Sequence, residues 1–253
     1  MVNIKLTVAY KGKNFYGWQF QPEKRTVEAE LNKALSKIYK KEIKVIGAGR
    51  TDSGVHAEGQ VANYKVAQEI DPDNLKEAIN TLLAEDVNIK KVELVAEDFH
   101  ARYSAKSREY VYFFSNKPVS LVRQDFVSIV KFGPDLSRIK EIEKILLGKH
   151  DFVCLRNTGS NEKQTVREIL DFKIREISMS DLYGINEADK LFEIYIKADS
   201  YLYRMVRNIV GALFEVMRGK RTEADFKALL DEQREYKYTT ALAKGLSLIR
   251  VNY

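Results

Sequence analysis

Residues 47–60, GAGRTDSGVHAEGQ, hold the chain's densest group of side chains able to do chemistry. Arg50, Thr51, Asp52 and His56 are interleaved there with Gly47, Gly49, Gly54 and Gly59, four of the 13 glycines. Glycine at that density serves a backbone that needs positive φ or the close approach of another group. The run is not a dinucleotide fingerprint, because the third glycine of that pattern would fall at Asp52. Nor does a Gly-Lys-Ser/Thr follow, as in a phosphate-binding loop. It presents a carboxylate and a guanidinium from a tight turn. The bland alternative is a connector in which Asp52 makes an Asx-turn.

Two further stretches carry candidate groups. Tyr110, Tyr112, Phe113 and Phe114 crowd one strand-like run, and Phe15, Tyr16, Trp18 and Phe20 one loop. Such rings are core on a strand, with Tyr112 and Phe114 the better core candidates; in a cleft beside basic residues they stack on an unpaired base. Arg207 sits in Tyr201–Gly211 (YLYRMVRNIVG) among apolar neighbours. On a solvated helix face it snorkels; in a cleft it pairs with a carboxylate or phosphate.

The elements that must hold these groups read β-α-β-β-α-β twice. Ile4, Leu6, Val8 and Tyr10 alternate as in a half-buried strand. Thr26 caps a helix carrying Val27, Leu31, Leu35 and Ile38, and Asp71-Pro72 opens another carrying Leu75, Ile79, Leu82 and Leu83. Strands are expected at Ile43–Ile46, at Gln60–Val66 and from Val87 to Leu94, the last with its alternation broken at Lys90-Lys91. In the second half a helix is expected at Leu136–Leu147, and a strand pair at Val166–Ile177 and Leu191–Ala198, joined by a polar turn at Ser178–Asp189. Helices at Leu202–Met217 and Thr222–Leu230 and a strand at Leu246–Val251 complete it. The reading is α+β: two tandem ferredoxin-like domains with antiparallel sheets, 1–104 and 105–253, meeting at a central basic cleft. The seam falls near Phe99–Lys106, and Asn157–Thr165 is the most loop-like stretch.

Composition narrows the function classes. The 253 residues carry 42 Lys+Arg against 36 Asp+Glu, and +5 of the net +6 lies in residues 1–60, which suits a phosphate-rich partner. Much of that charge, at Lys33, Lys37, Lys40 and Lys41, belongs to a solvated helix face. One cysteine, Cys154, rules out an internal disulfide and a thiolate zinc cage. It reads as a small buried hydrophobe. His56, His100 and His150 leave little material for a metal site and read as structural or backbone contacts. No apolar run approaches the ~20 residues that span a bilayer, and no secretory segment opens the chain, so the cytoplasm is expected.

In this order, the stretches resemble the tRNA pseudouridine synthase A family, which isomerises uridines in the anticodon stem-loop. The resemblance rests on Tyr10–Gln19 (YKGKNFYGWQ), Gly49–Gln60 (GRTDSGVHAEGQ), Phe99–Tyr112 (FHARYSAKSREYVY), Tyr201–Gly211 and Lys244–Leu248 (KGLSL). The chain departs from the family at Lys11, where Asp is common, and at Leu242, where Pro is common. The resemblance implies that Asp52 is the catalytic aspartate, Arg207 its partner, Tyr110 the ring that stacks on the target base, and Arg50 a contact to the RNA backbone. It also implies a homodimer acting on tRNA positions 38–40.

The implied reaction breaks C1′–N1, turns the uracil over and joins C5 to C1′. It involves no redox change or net hydrolysis, so no cofactor and no metal are expected. A carboxylate could attack C1′, assist loss of the base through a glycal-like species, or attack C6. A competing reading is a non-catalytic tandem RRM-like RNA-binding protein, but no RNP1-type run is present. A third, a hydrolase with Asp52 as nucleophile, lacks a His or second acid at recognisable spacing.

Overall fold

The alternation at the N-terminus becomes strand β1, Val2–Tyr10, with Ile4, Leu6, Val8 and Tyr10 all buried. The computed structural model describes residues 1–68, 70–157, 159, 162–177, 191–233 and 236–253. These form a mixed α+β chain dividing into two compact units: Met1–Lys106 with Ser247–Tyr253, and Ser107–Leu246.

In the first unit β1 is followed by α1 (Val27–Tyr39), β2 (Ile46–Gly47), β3 (His56–Val66), α2 (Pro72–Leu82) and β4 (Val87–Val95). The expected caps are present: Thr26 Oγ1 accepts from Ala29 N, and Asp71 accepts from the amides of Asp73 and Asn74. α1 ends at Lys40, in the left-handed region at φ 52°. β1 pairs antiparallel with both β3 and β4. Thr7 faces Lys91 while Val8 faces Ile89, so Lys90 is an extra residue on β4, and this irregularity is the broken alternation at Lys90-Lys91. Leu31, Leu35, Leu75 and Ile79 of the helices and Ile4, Leu6, Val8 and Ile89 of the sheet are fully buried. Burial of each such side chain contributes ~1.5–3 kcal/mol.

Two expectations for this unit are corrected. The strand at Ile43–Ile46 shrinks to Ile46–Gly47. The Ile43 and Val45 amides donate instead to Ser36 Oγ and Asn32 Oδ1 of α1, at 2.9 and 2.8 Å, so helix side chains satisfy them rather than a ladder. The last strand, β10 (Leu246–Asn252), was expected in the second domain, yet Ser247–Tyr253 belongs to the first unit. There it pairs parallel with β3, Ser247 opposite His56 and Leu248 opposite Ala57.

The second unit contains β5 (Ser107–Ser115), β6 (Ser128–Ile129), α3 (Lys140–Leu146), β7 (Gly148–Asp151), β8 (Val166–Ile177), β9 (Leu191–Ala198), α4 (Met205–Met217) and α5 (Glu223–Asp231). The strands lie in the order β5-β9-β8-β7, antiparallel throughout, and β6 adds a parallel bridge to β5. The helix expected at Leu136–Leu147 begins as a 3-10 turn, Leu136–Ile139, whose cap Asp135 accepts from Ser137 N. α5 carries a full capping box between Thr222 and Asp225. The short β6 and β7 were not legible as strands. The polar turn Ser178–Asp189 and part of the Asn157–Thr165 loop lie outside the described residues. Among the described residues no helix is long and apolar enough to cross a membrane.

Candidate active site

The glycine-rich run joins β2 to β3, and the Tyr10–Gln19 stretch grips it from one end to the other. Tyr10 OH shares a buried hydrogen bond with Thr51 Oγ1 at 2.8 Å. Trp18 N donates to Thr51 O at 3.1 Å. Phe15 O accepts from Gly54 N at 3.3 Å and from Ser53 Oγ at 3.1 Å. Gly12 N donates to His56 Nδ1 at 3.1 Å. Within the loop, Val55 N returns to Asp52 O at 3.1 Å, and Gln60 Nε2 holds Gly49 O at 2.9 Å. Asp52 is thus half-buried on a short turn whose flanking residues on both sides are anchored, while Arg50 is exposed.

Glycine is required at position 17 for two reasons: its φ is +91°, and a Cβ there would stand 2.6 Å from Thr51 O. Burial pushes the Tyr10 phenol up to about 12, against the lowering effect of its bonds to Thr51 and Gln60. The aromatic loop therefore divides. Phe15 and Trp18, 1% and 3% exposed, are packing residues; Tyr16 and Phe20 face solvent.

In the second unit Tyr110 stands on β5 opposite Ile196, nearly buried at 8% exposure. Its ring meets Tyr201 edge-on, with centroids 5.2 Å apart and planes at 89°. Tyr201 OH donates to the carbonyls of Ile196 and Arg108 at 3.1 and 3.3 Å, so the supporting ring is itself fixed. Tyr112 and Phe114 are core, as expected.

Arg207 occupies the first turn of α4, half-buried, and its Nε donates to Ala241 O at 2.8 Å while Ala241 N returns to Arg207 O at 3.1 Å. The first bond restrains the guanidinium, and the second ties the Ala241 backbone to α4. Next to it, Asn208 Nδ2 donates to Leu155 O and to Asn157 Oδ1, and Thr240 Oγ1 donates to Asn208 Oδ1. A Cβ at Gly211 would meet Thr239 O at 2.2 Å, so only glycine lets the 239–241 segment lie this close to α4. Burial pushes the Tyr112 phenol up to about 12, and the nearby Arg207 charge pulls it the other way.

The predicted site residues therefore fall in two sets: Arg50 and Asp52 on one anchored loop, Tyr110 and Arg207 in the other unit. Reading residue types missed the supports: Tyr10 and Gln60 beneath the loop, and Asn208, Thr240 and Ala241 beside Arg207. The signal was present in part, since Asn208 is a polar side chain at a buried helical position. His56 and Cys154 are buried, His56 bonded to backbone as expected. Among the described residues no group of three or more His, Cys, Asp or Glu could hold a metal ion.

A family model described as tRNA pseudouridine synthase matches residues 6–104 and 142–253. Across 256 residues the chain is 40% identical to tRNA pseudouridine synthase A 2 of Clostridium perfringens, covering 100% of both chains. It is 37% identical over 256 residues to tRNA pseudouridine synthase A of Thermodesulfovibrio yellowstonii, again covering 100% of both. The corresponding protein of Dictyoglomus turgidum is 39% identical over 257 residues, with the same coverage.

Proposed function

The chain belongs to the tRNA pseudouridine synthase family, and from that premise we propose that Asp52 drives the isomerisation of uridine in the tRNA anticodon stem-loop, at positions 38–40. The reaction is internally balanced. The C1′–N1 bond breaks, the uracil rotates, C5 bonds to C1′, and the proton displaced from C5 is replaced by one at N1. The observation that carries the assignment is the anchoring of the Asp52 turn by Tyr10, Phe15 and Trp18, which fixes the backbone that presents the carboxylate. Preorganisation of this kind removes the cost of ordering the group during the reaction.

Arg207 is the cationic partner of Asp52 once the bound RNA has excluded water, its planar fork suited to a carboxylate. Tyr110, fixed against Tyr201, stacks on the target base, and Arg50 contacts the RNA backbone as the nucleotide leaves its stack, a step costing a few kcal/mol. These groups come from tandem ferredoxin-like domains. The order β4-β1-β3 with β2 on β3 supports that reading for the first domain. The protein works as a cytoplasmic homodimer. The test is pseudouridine mapping on unmodified tRNA. Wild-type protein should modify the anticodon stem-loop, and Asp52→Asn should bind the same RNA but leave its uridines unchanged. Undiminished conversion by Asp52→Asn would remove the assignment.

A further inference from the structure

The turn at His100–Ser104 displays an aromatic ring to solvent and holds it rigidly. Tyr103 is 77% exposed, among the most exposed large side chains of the protein. Its ring lies on that of His100, with centroids 4.3 Å apart and planes 35° from parallel. His100 is fixed in turn: its Nδ1 accepts from the amides of Arg102 and Tyr103 at 3.2 and 3.3 Å. His100 N donates to Ser104 Oγ at 3.0 Å, and Ser104 N donates to His100 O at 2.9 Å.

An exposed ring contributes little to a core, and its open face leaves apolar surface in water. Here four hydrogen bonds close the five-residue turn that carries the two rings, two of them accepted by the His100 ring itself. The Arg102 guanidinium lies over the Tyr103 ring, 5.7 Å from its centroid. The run from Phe99 to Lys106 includes Arg102 and Lys106, both exposed, and no acidic residue. A mostly exposed ring, backed by His100 and accompanied by the Arg102 cation, has the chemistry of a stacking platform for single-stranded nucleic acid.

We propose that the His100–Tyr103 turn is an RNA-binding subsite that stacks an unpaired nucleobase of the tRNA other than the one isomerised. The inference rests on the tRNA-modifying reading and extends it to a contact outside the Asp52 loop. A platform already ordered before binding gives affinity without an ordering cost on the protein side.

The experiment measures binding of an unmodified tRNA transcript to wild type, Tyr103→Phe and Tyr103→Ala, with pseudouridine formation by wild type as a control. One stacked base is worth ~1–3 kcal/mol, so Tyr103→Ala should weaken binding about 5- to 150-fold. Tyr103→Phe, which keeps the ring, should stay within about twofold of wild type. Matching melting temperatures for the three proteins exclude a folding loss. Wild-type affinity in Tyr103→Ala overturns the subsite. A changed sedimentation mass without changed RNA affinity also overturns it, by making the face a protein contact. A wild-type protein that forms no pseudouridine would instead defeat the functional reading itself, which separates the two failures.

Discussion

The Tyr10 phenol and the Thr51 hydroxyl, 41 residues apart in the chain, meet in a buried hydrogen bond of 2.8 Å. The bond ties the last residue of β1 to the residue directly before Asp52. A motif that could be taken for an aromatic binding surface is therefore, at Tyr10, Phe15 and Trp18, the frame of the acidic turn. Its rings pack on one another, Tyr10 lying 6.4 Å from Phe15 and 6.2 Å from Trp18 between centroids.

Tyr10→Phe leaves the Thr51 hydroxyl, 7% exposed, without its phenol partner. A loss of about 1–3 kcal/mol is expected in urea unfolding at neutral pH. The pH dependence has a definite sign. The folded phenol titrates at about 12 and the unfolded one at 10.0, so the stability it contributes is intact below pH 10 and declines as pH rises toward 12. The Phe variant should show a shallower alkaline decline than wild type. Parallel declines in the two proteins would count against the assignment.

Gly17→Ala introduces a Cβ 2.6 Å from Thr51 O at a φ of +91°. Backbone cannot swing aside as a side chain can, so the Thr51–Asp52 turn must shift, at a strain of about 1–3 kcal/mol. Turnover should fall at least tenfold, with a cooperative melt retained. Pseudouridine formation under single-turnover conditions, read beside the melting curve, checks this; unchanged turnover would show that the turn tolerates displacement.

Arg207 and Gly211 should fail in related ways. Arg207→Met removes the proposed cation and the donor to Ala241 O, and pseudouridine formation should fall at least tenfold. Gly211→Ala keeps the cation but forces Thr239 O away from a Cβ that would stand at 2.2 Å, moving the segment that holds Arg207. It should reduce the rate by a smaller factor than Arg207→Met. Single-turnover rates of the two variants, read beside their melting curves, check this; wild-type turnover in Arg207→Met would remove its role.

Arg25 donates two hydrogen bonds of 2.7 Å to Asp86 and holds its carboxyl below the usual range. A depressed carboxylate pKa stabilises the fold above the unfolded value of 3.8, and that contribution is lost as pH falls through the lower folded value. Asp86→Asn should cost about 1 kcal/mol at pH 7, and its deficit should shrink below pH 3.8. Chemical unfolding at the two pH values tests it, and a deficit that persists in acid would assign the effect to packing.

Much of the first unit was legible because its signals are local. The period of two in β1, the caps at Thr26 and Asp71, and the broken alternation at Lys90 depend on near neighbours along the chain. Ile43–Ile46 misled for the same reason. The apolar pattern is real, but the amides of Ile43 and Val45 are taken by Asn32 and Ser36 of α1. β10 misled because its pairing with β3 joins residues almost two hundred positions apart, which no local pattern encodes.

The amino-acid order alone determined which groups could act. Asp52 and Arg50 on a glycine-dense turn, an arginine among apolar helix neighbours and a tyrosine on an aromatic strand are identifiable by type and spacing. Tertiary structure decided what holds them: Tyr10 beneath Thr51, Gln60 beneath Gly49, Ala241 against Arg207 and Tyr201 against Tyr110. Each of those supports is a contact of a few ångströms between groups separated along the chain. The identity of a side chain fixes the chemistry it can perform, whereas the direction it points depends on which distant backbone folds against it.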